Sequence, residues 1–282
     1  MEFFDNSEYT YLISELLHNA HYIKRSNRDK IRELGAYAEI LVRKLLDIGN
    51  DYPITLGQIE WEYNKKKQTP AGNKLHGLDD GLRKKLFETI KRIAPLRNEA
   101  SHTQHTEKFS DEEVAEVEDA ILDLYALIFI QYFMDNKVSL ESHSKAISGF
   151  SLLPPIIRYK TWKYLFERDK NNIQVVSKLY LSIIKSYGRE AALEWLDENA
   201  ETIRAIPVEK IRLGQYDNMY DLLLNELDNP DVLKNEGGKM YKDFEEAIKF
   251  YEAYKESIQD NSEEIKKFCS LMEFVYIGRK PK

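Results

Sequence analysis

The chain has 282 residues, 43% of them hydrophobic and 32% charged, which places it among globular proteins and excludes the disordered class. Its net charge of −7 excludes a bulk polyanion binder of the basic-arm kind, so any nucleic-acid contact has to use a local basic patch. One cysteine, Cys269, excludes an internal disulfide and a cysteine zinc cage. No apolar run approaches the roughly 20 residues that a bilayer span needs. The opening Met1-Glu2-Phe3-Phe4-Asp5-Asn6 lacks the basic and apolar regions of a signal peptide. The expectation is a cytoplasmic protein without membrane contact.

Helical periodicity begins at once. Tyr9, Leu12, Ile13, Leu16, Ala20 and Ile23 recur at spacings of three and four, as on one helix face. Ile31, Leu34, Ala38, Leu41, Leu45 and Ile48 form a second stripe, which Gly49-Asn50 stops, and Arg32, Glu39 and Arg43 lie close together on its flank. Residues 51–78 read as irregular, broken by Pro53, Gly57, Pro70, Gly72 and Gly77. A third long helix starts at Asp79 or Asp80 and buries Leu82, Leu86, Ile90 and Ile93, with Pro95 expected to bend it. The fourth opens on Ser110-Asp111-Glu112-Glu113, a capping box, and continues through Val114, Val117, Ile121, Leu124 and Ile128 to about Met134. Four such helices suffice for an up-down bundle over residues 1–137. Residues 138–152, with Ser142, Ser144, Ser148 and Gly149 ahead of Pro154-Pro155, read as a linker. Residues 153–282 are again helical in pattern, with breaks near Asn171-Asn172, Gly188, Pro207, Pro230 and Gly237-Gly238. The fold class expected is all-α, a four-helix bundle followed by a C-terminal helical domain.

The chemistry concentrates at the end of the third long helix, Arg97-Asn98-Glu99-Ala100-Ser101-His102. Counted from Leu82, Arg97 falls in the apolar stripe, where a guanidinium is expensive unless it meets a carboxylate or a phosphate. A structural ion pair with Glu39 or Glu99 is the plain account of such an arginine. Asn98 and His102 add to it, because Arg-Asn-x-x-x-His arises by chance only about 0.02 times in a chain of this composition. Five residues separate the Arg and His side chains by about 140° and about 7.5 Å on an ideal helix. They converge only if the helix ends near Ser101, or if two copies of the chain face each other.

This segment resembles the signature of the HEPN domains, four-helix bundles marked by Arg, a polar residue and then His. The resemblance covers residues 1–137, and the stretch from Ile31 to Glu39 is similar to the family's second helix, which often carries an acidic residue facing the motif. It implies a metal-independent endoribonuclease acting as a homodimer through the N-terminal bundle, with RNA as partner and no cofactor or metal. His102 would move the proton of a ribose 2′-hydroxyl or of the departing 5′-oxygen. Arg97 would hold the scissile phosphate, Asn98 would orient either group, and Glu39 would support them. The products would be a 2′,3′-cyclic phosphate and a 5′-hydroxyl, and DNA would not be cut. A toxin or antiviral defence role is implied, with the second half selecting substrate, sensing a trigger or binding an inhibitor. The competing expectation is a non-catalytic interaction or regulatory protein whose motif builds a dimer interface.

Lys65-Lys66-Lys67, beside Trp61 and Tyr63, can form an RNA-contacting loop, and equally a solvated one. Lys84, Lys91 and Arg92 lie off the apolar stripe and can extend a basic strip toward the motif; helix solubility accounts for them as well. His18 and His21 have the spacing of two metal ligands on one helix face, without an apparent third. His105 follows the motif closely. No Ser-His-Asp or Cys-His signature and no glycine-rich phosphate loop is present.

Overall fold

The computed structural model describes residues 4–64, 69–104, 106–138, 145–206, 216–228, 242–259 and 261–280. Fourteen α-helices and no strand occur among the described residues, so the fold is all-α. The chain divides into two compact units, residues 1–131 with 273–279, and residues 132–272 with 280–282. Among the described residues no helix is long and apolar enough to cross a membrane.

In the first unit, Asp5 accepts the Ser7 amide and starts α1, Asn6–Leu17. A π-helical turn, His18–Tyr22, follows, and Ile23 is already extended, so the helix stops short of the periodicity read from the sequence. Tyr9, Ile13, Leu16, Leu17 and Ala20 are buried, whereas Leu12 is exposed at the edge of the stripe. Helix α2, Asn27–Leu46, is capped by the Ser26 hydroxyl, which accepts from the Asp29 amide. It ends at Asp47, a left-handed residue (φ 50°), rather than at Gly49-Asn50. The Asp47 carboxylate stabilises that turn, accepting from the Phe4 amide at 3.1 Å and from Lys74 Nζ at 3.1 Å.

Residues 51–78 are not irregular throughout. Leu56–Asn64 forms α3 and Pro70–Gly77 forms α4. Pro70 does not break α4 but begins it, at the first helical position, where the missing N–H has no intrahelical partner to lose; the Thr69 hydroxyl caps the Gly72 amide at 3.0 Å. Helix α5, Asp80–Ser101, runs through Pro95. Helix α6, Asp111–Asp135, opens on the expected reciprocal cap, the Ser110 amide donating to Glu113 (2.7 Å) and the Glu113 amide to Ser110 (3.2 Å). From Leu124 to Ile130 every residue of α6 is buried, the pattern of a helix enclosed on all faces. Helix α2 packs against both α1 and α5, and α3 against α4 and α5.

In the second unit, part of the expected linker is helical. Lys145–Phe150 is α7, and it buries Ala146, Ile147 and Phe150. Gly149 lets this helix close on its neighbours, since a Cβ there would stand 2.6 Å from the Phe268 ring. The remaining helices are α8 (Pro155–Arg168), α9 (Ile173–Tyr187), α10 (Arg189–Glu198), α11 (Ala200–Arg204), α12 (Met219–Asp228), α13 (Phe244–Ile258) and α14 (Glu263–Tyr276), whose residues from Glu273 on belong to the first unit. α8 packs along α9, α9 on α10, and α10 on α12. An aromatic cluster of Phe133, Phe150 and Trp162, with ring centroids 4.9–5.2 Å apart, forms part of this core. Pro207, Pro230 and Gly237-Gly238, read as breaks, lie outside the described residues.

Candidate functional site

The site is built at the C-terminal end of α5. Asp79 fixes the other end, accepting the Gly81 and Leu82 amides at 3.0 and 3.1 Å. From there Leu82, Leu86, Ile90 and Ile93 descend one buried face, and Arg97 continues the series. Its side chain is only 29% exposed. The reason it fits is Gly35 of α2: a Cβ on Gly35 would lie 2.7 Å from Arg97 Cβ and 2.2 Å from Arg97 Cγ. The aliphatic stem of Arg97 therefore occupies the space a side chain would have filled. Glu39, one helical turn beyond Gly35, then meets the guanidinium, with Arg97 Nη2 3.3 Å from Glu39 Oε1.

Glu39 is itself only 20% exposed. Burial pushes its carboxyl above the usual carboxylate range, while the positive charge of Arg97, the backbone amide of Leu56 and the charge of Arg43 oppose that rise. The ion pair is thus partly desolvated and depends on its cation. On the opposite side, Arg97 Nη1 reaches the Asn98 side-chain oxygen at 3.4 Å. Beyond Glu39 and Asn98 the guanidinium has no polar partner among the described residues, which leaves N–H donors for an anion.

α5 ends four residues after Arg97. Ser101 is its last residue, and its hydroxyl donates to the Arg97 carbonyl at 2.8 Å. His102 is extended (φ −104°, ψ 141°), with its amide closing a final turn onto the Glu99 carbonyl at 3.3 Å. Its imidazole is exposed and has no polar partner among the described residues. Two residues of α2, Arg28 at this end and Asn27 at the far end of the loop that follows, hold the segment in place, and the sequence reading missed both. Arg28 Nη1 donates to the carbonyls of Glu99, Ala100 and His102, each at 3.3 Å, and its guanidinium lies over the Phe109 ring at 5.3 Å. Asn27 Nδ2 donates to the Phe109 carbonyl (3.0 Å) and to Asp111 (2.9 Å). The start of α2 thereby fixes both ends of the loop that follows the motif. Only Gly35 left a local signal, an isolated glycine inside a helical pattern.

The expected basic strip is arranged differently. Arg92 is held by three carboxylates of α6, those of Glu116, Asp119 (2.7 Å) and Asp123 (2.6 Å). These hold its guanidinium more firmly protonated than usual, the hydrogen bond to Glu116 first among them. Lys91 pairs with Glu60 at 3.0 Å, and Lys84 lies on the open surface 4.0 Å from Glu88. Arg92 thus joins α5 to α6, and Lys91 joins it to α3. Lys65, Lys66, Lys67 and His105 lie outside the described residues. His21 stands beside Glu118, 3.7 Å away, and burial together with the positive charges of Arg279 and Lys30 lowers its pKa to about 4. Among the described residues no three His, Cys, Asp or Glu side chains gather as metal ligands would. No protein-family model, no curated protein and no solved structure matches the chain.

Proposed function

We propose that this chain is a metal-independent endoribonuclease of the HEPN type, working from Arg97, Asn98 and His102. The observation that carries the reading is the break in α5 at Ser101. It leaves an exposed imidazole at His102, five residues after a guanidinium that meets Glu39 through Nη2 and Asn98 through Nη1. The imidazole can take the proton of a ribose 2′-hydroxyl as that oxygen attacks phosphorus; a second one, from another copy of the chain, can protonate the 5′-oxygen that leaves. Arg97, steadied by Glu39, presents its remaining N–H groups to the phosphate, whose charge rises in the transition state. The site then joins two protomers, with RNA as substrate and a toxin or defence effector as the biological role.

A second reading has its own support. The Arg97–Glu39 pair and the seating of Arg97 on Gly35 join α2 to α5 within one chain, and that is also what a purely structural arginine would do. The two readings separate on substrate. Offered RNA and DNA of the same sequence, a nuclease of this mechanism cuts only the RNA, because DNA has no 2′-hydroxyl. Cleavage of neither favours the interaction protein, and cleavage of both contradicts attack by the 2′-hydroxyl.

A further inference from the structure

The second unit holds a cavity of about 650 Å³ lined by Pro155, Ile156, Ser186, Gly188 and three cations, Lys185, Arg189 and Lys242. Among the described residues no carboxylate lines it, although the chain as a whole carries seven more negative than positive charges. Two helices begin at its wall. α8 starts at Pro155 and α10 at Arg189, and neither N-terminus has a side-chain cap. The first amides of α10 and the positive ends of both helix dipoles add to the charge of the lysines and arginine, although Pro154 and Pro155 give α8 no N–H of their own. Gly188 makes the turn between α9 and α10, with a φ of 94° that favours glycine. The Ser186 hydroxyl oxygen is buried and has no hydrogen-bond partner among the described residues. Tyr187 sits on the same wall, half-exposed, with its ring 4.9 Å from that of Tyr159.

We infer that this cavity binds a small phosphate-bearing ligand, its phosphate held by Lys185, Arg189, Lys242 and the N-terminus of α10. The volume lies within the range of small-molecule pockets. Burial and the positive charges of Arg158 and Lys178 lower the pKa of Lys185 to about 8, so like charges already crowd this region and an entering anion relieves them. Glu226 is the carboxylate whose charge acts on Lys178. Tyr187 offers an exposed aromatic face beside the phosphate position, which favours a ligand with a planar group such as a nucleobase.

The inference stands apart from the proposed nuclease activity, and its test does not use that activity. The full chain is titrated by calorimetry with inorganic phosphate, pyrophosphate and AMP. The expected result is saturable binding of pyrophosphate or AMP, weakened about tenfold or more in Arg189→Gln and in Lys242→Gln while the melting temperature is unchanged. Both side chains are exposed, so neither substitution disturbs a core. AMP binding more tightly than phosphate assigns Tyr187 to the base, and equal affinities confine recognition to the phosphate. Absence of saturable binding by all three probes, or binding unchanged in both variants, overturns the inference.

Discussion

Arg97 is held by what surrounds it on α2, and each neighbour can be removed separately. Gly35→Ala places a Cβ against the Arg97 stem, and neither helix backbone can yield without parting α2 from α5. The gain of helix propensity, about 1 kcal/mol, is outweighed by an overpacking penalty of about 1–3 kcal/mol. The urea midpoint should fall. Arg97→Met keeps the stem and removes the charge, leaving Glu39 partly buried without its cation; the expected loss is about 1–3 kcal/mol at neutral pH. The pH dependence has a definite sign. Glu39 already binds its proton more tightly in the folded chain than in the unfolded one, so its contribution to stability is present at low pH and lost as pH rises through its raised range. Without Arg97 that tendency grows, and the deficit of Arg97→Met relative to wild type should shrink as the solution is acidified, as urea melts at several pH values will show. His102→Ala should behave differently. The imidazole is exposed and unpartnered among the described residues, so stability should stay within about 0.5 kcal/mol of wild type.

At the scale of elements, what the sequence announces is what local chemistry decides. Asp79 and the Ser110–Glu113 box begin α5 and α6 as read, because a cap is settled within four residues of chain. The stripes of α2 and α5 are legible for the same reason. Helices α3, α4 and α7 were not, since each is short, and Pro70 reads as a breaker unless Thr69 is seen to cap the turn it begins. The anchoring of the motif was equally hidden: Arg28 and the carbonyls it binds are more than 70 residues apart, a relation no period records. Arg92, too, looks like part of a basic strip until α6 brings three carboxylates to it. Arg28→Met should loosen the last turn of α5, costing about 1 kcal/mol, and should speed amide exchange at Ala100–His102 while leaving the first turns protected.

On the scale of the molecule, two halves in simple succession are what the helical pattern suggests, but the chain returns. Residues 273–279 belong to the first unit, where Phe274 is buried edge-on to Phe4 at 5.6 Å and Lys44 lies 5.0 and 5.5 Å from the Phe4 and Phe274 rings. Arg279 donates to Tyr125 Oη at 3.0 Å, and that hydroxyl is 2.5 Å from the hydroxyl of Tyr37. Phe274→Ala should therefore destabilise the unit that carries the motif by about 3–5 kcal/mol, although it lies 177 positions from Arg97; calorimetry will register the loss.

The central claim is that His102 is a group of the reaction and not only of the fold. Its most direct test is incubation of the purified full chain with total RNA in EDTA, followed by chemical identification of the new ends. The account predicts 2′,3′-cyclic phosphate and 5′-hydroxyl ends with wild type, and their loss in a folded His102→Ala variant. No cleavage by wild type, or cleavage that persists unchanged in His102→Ala, would contradict it.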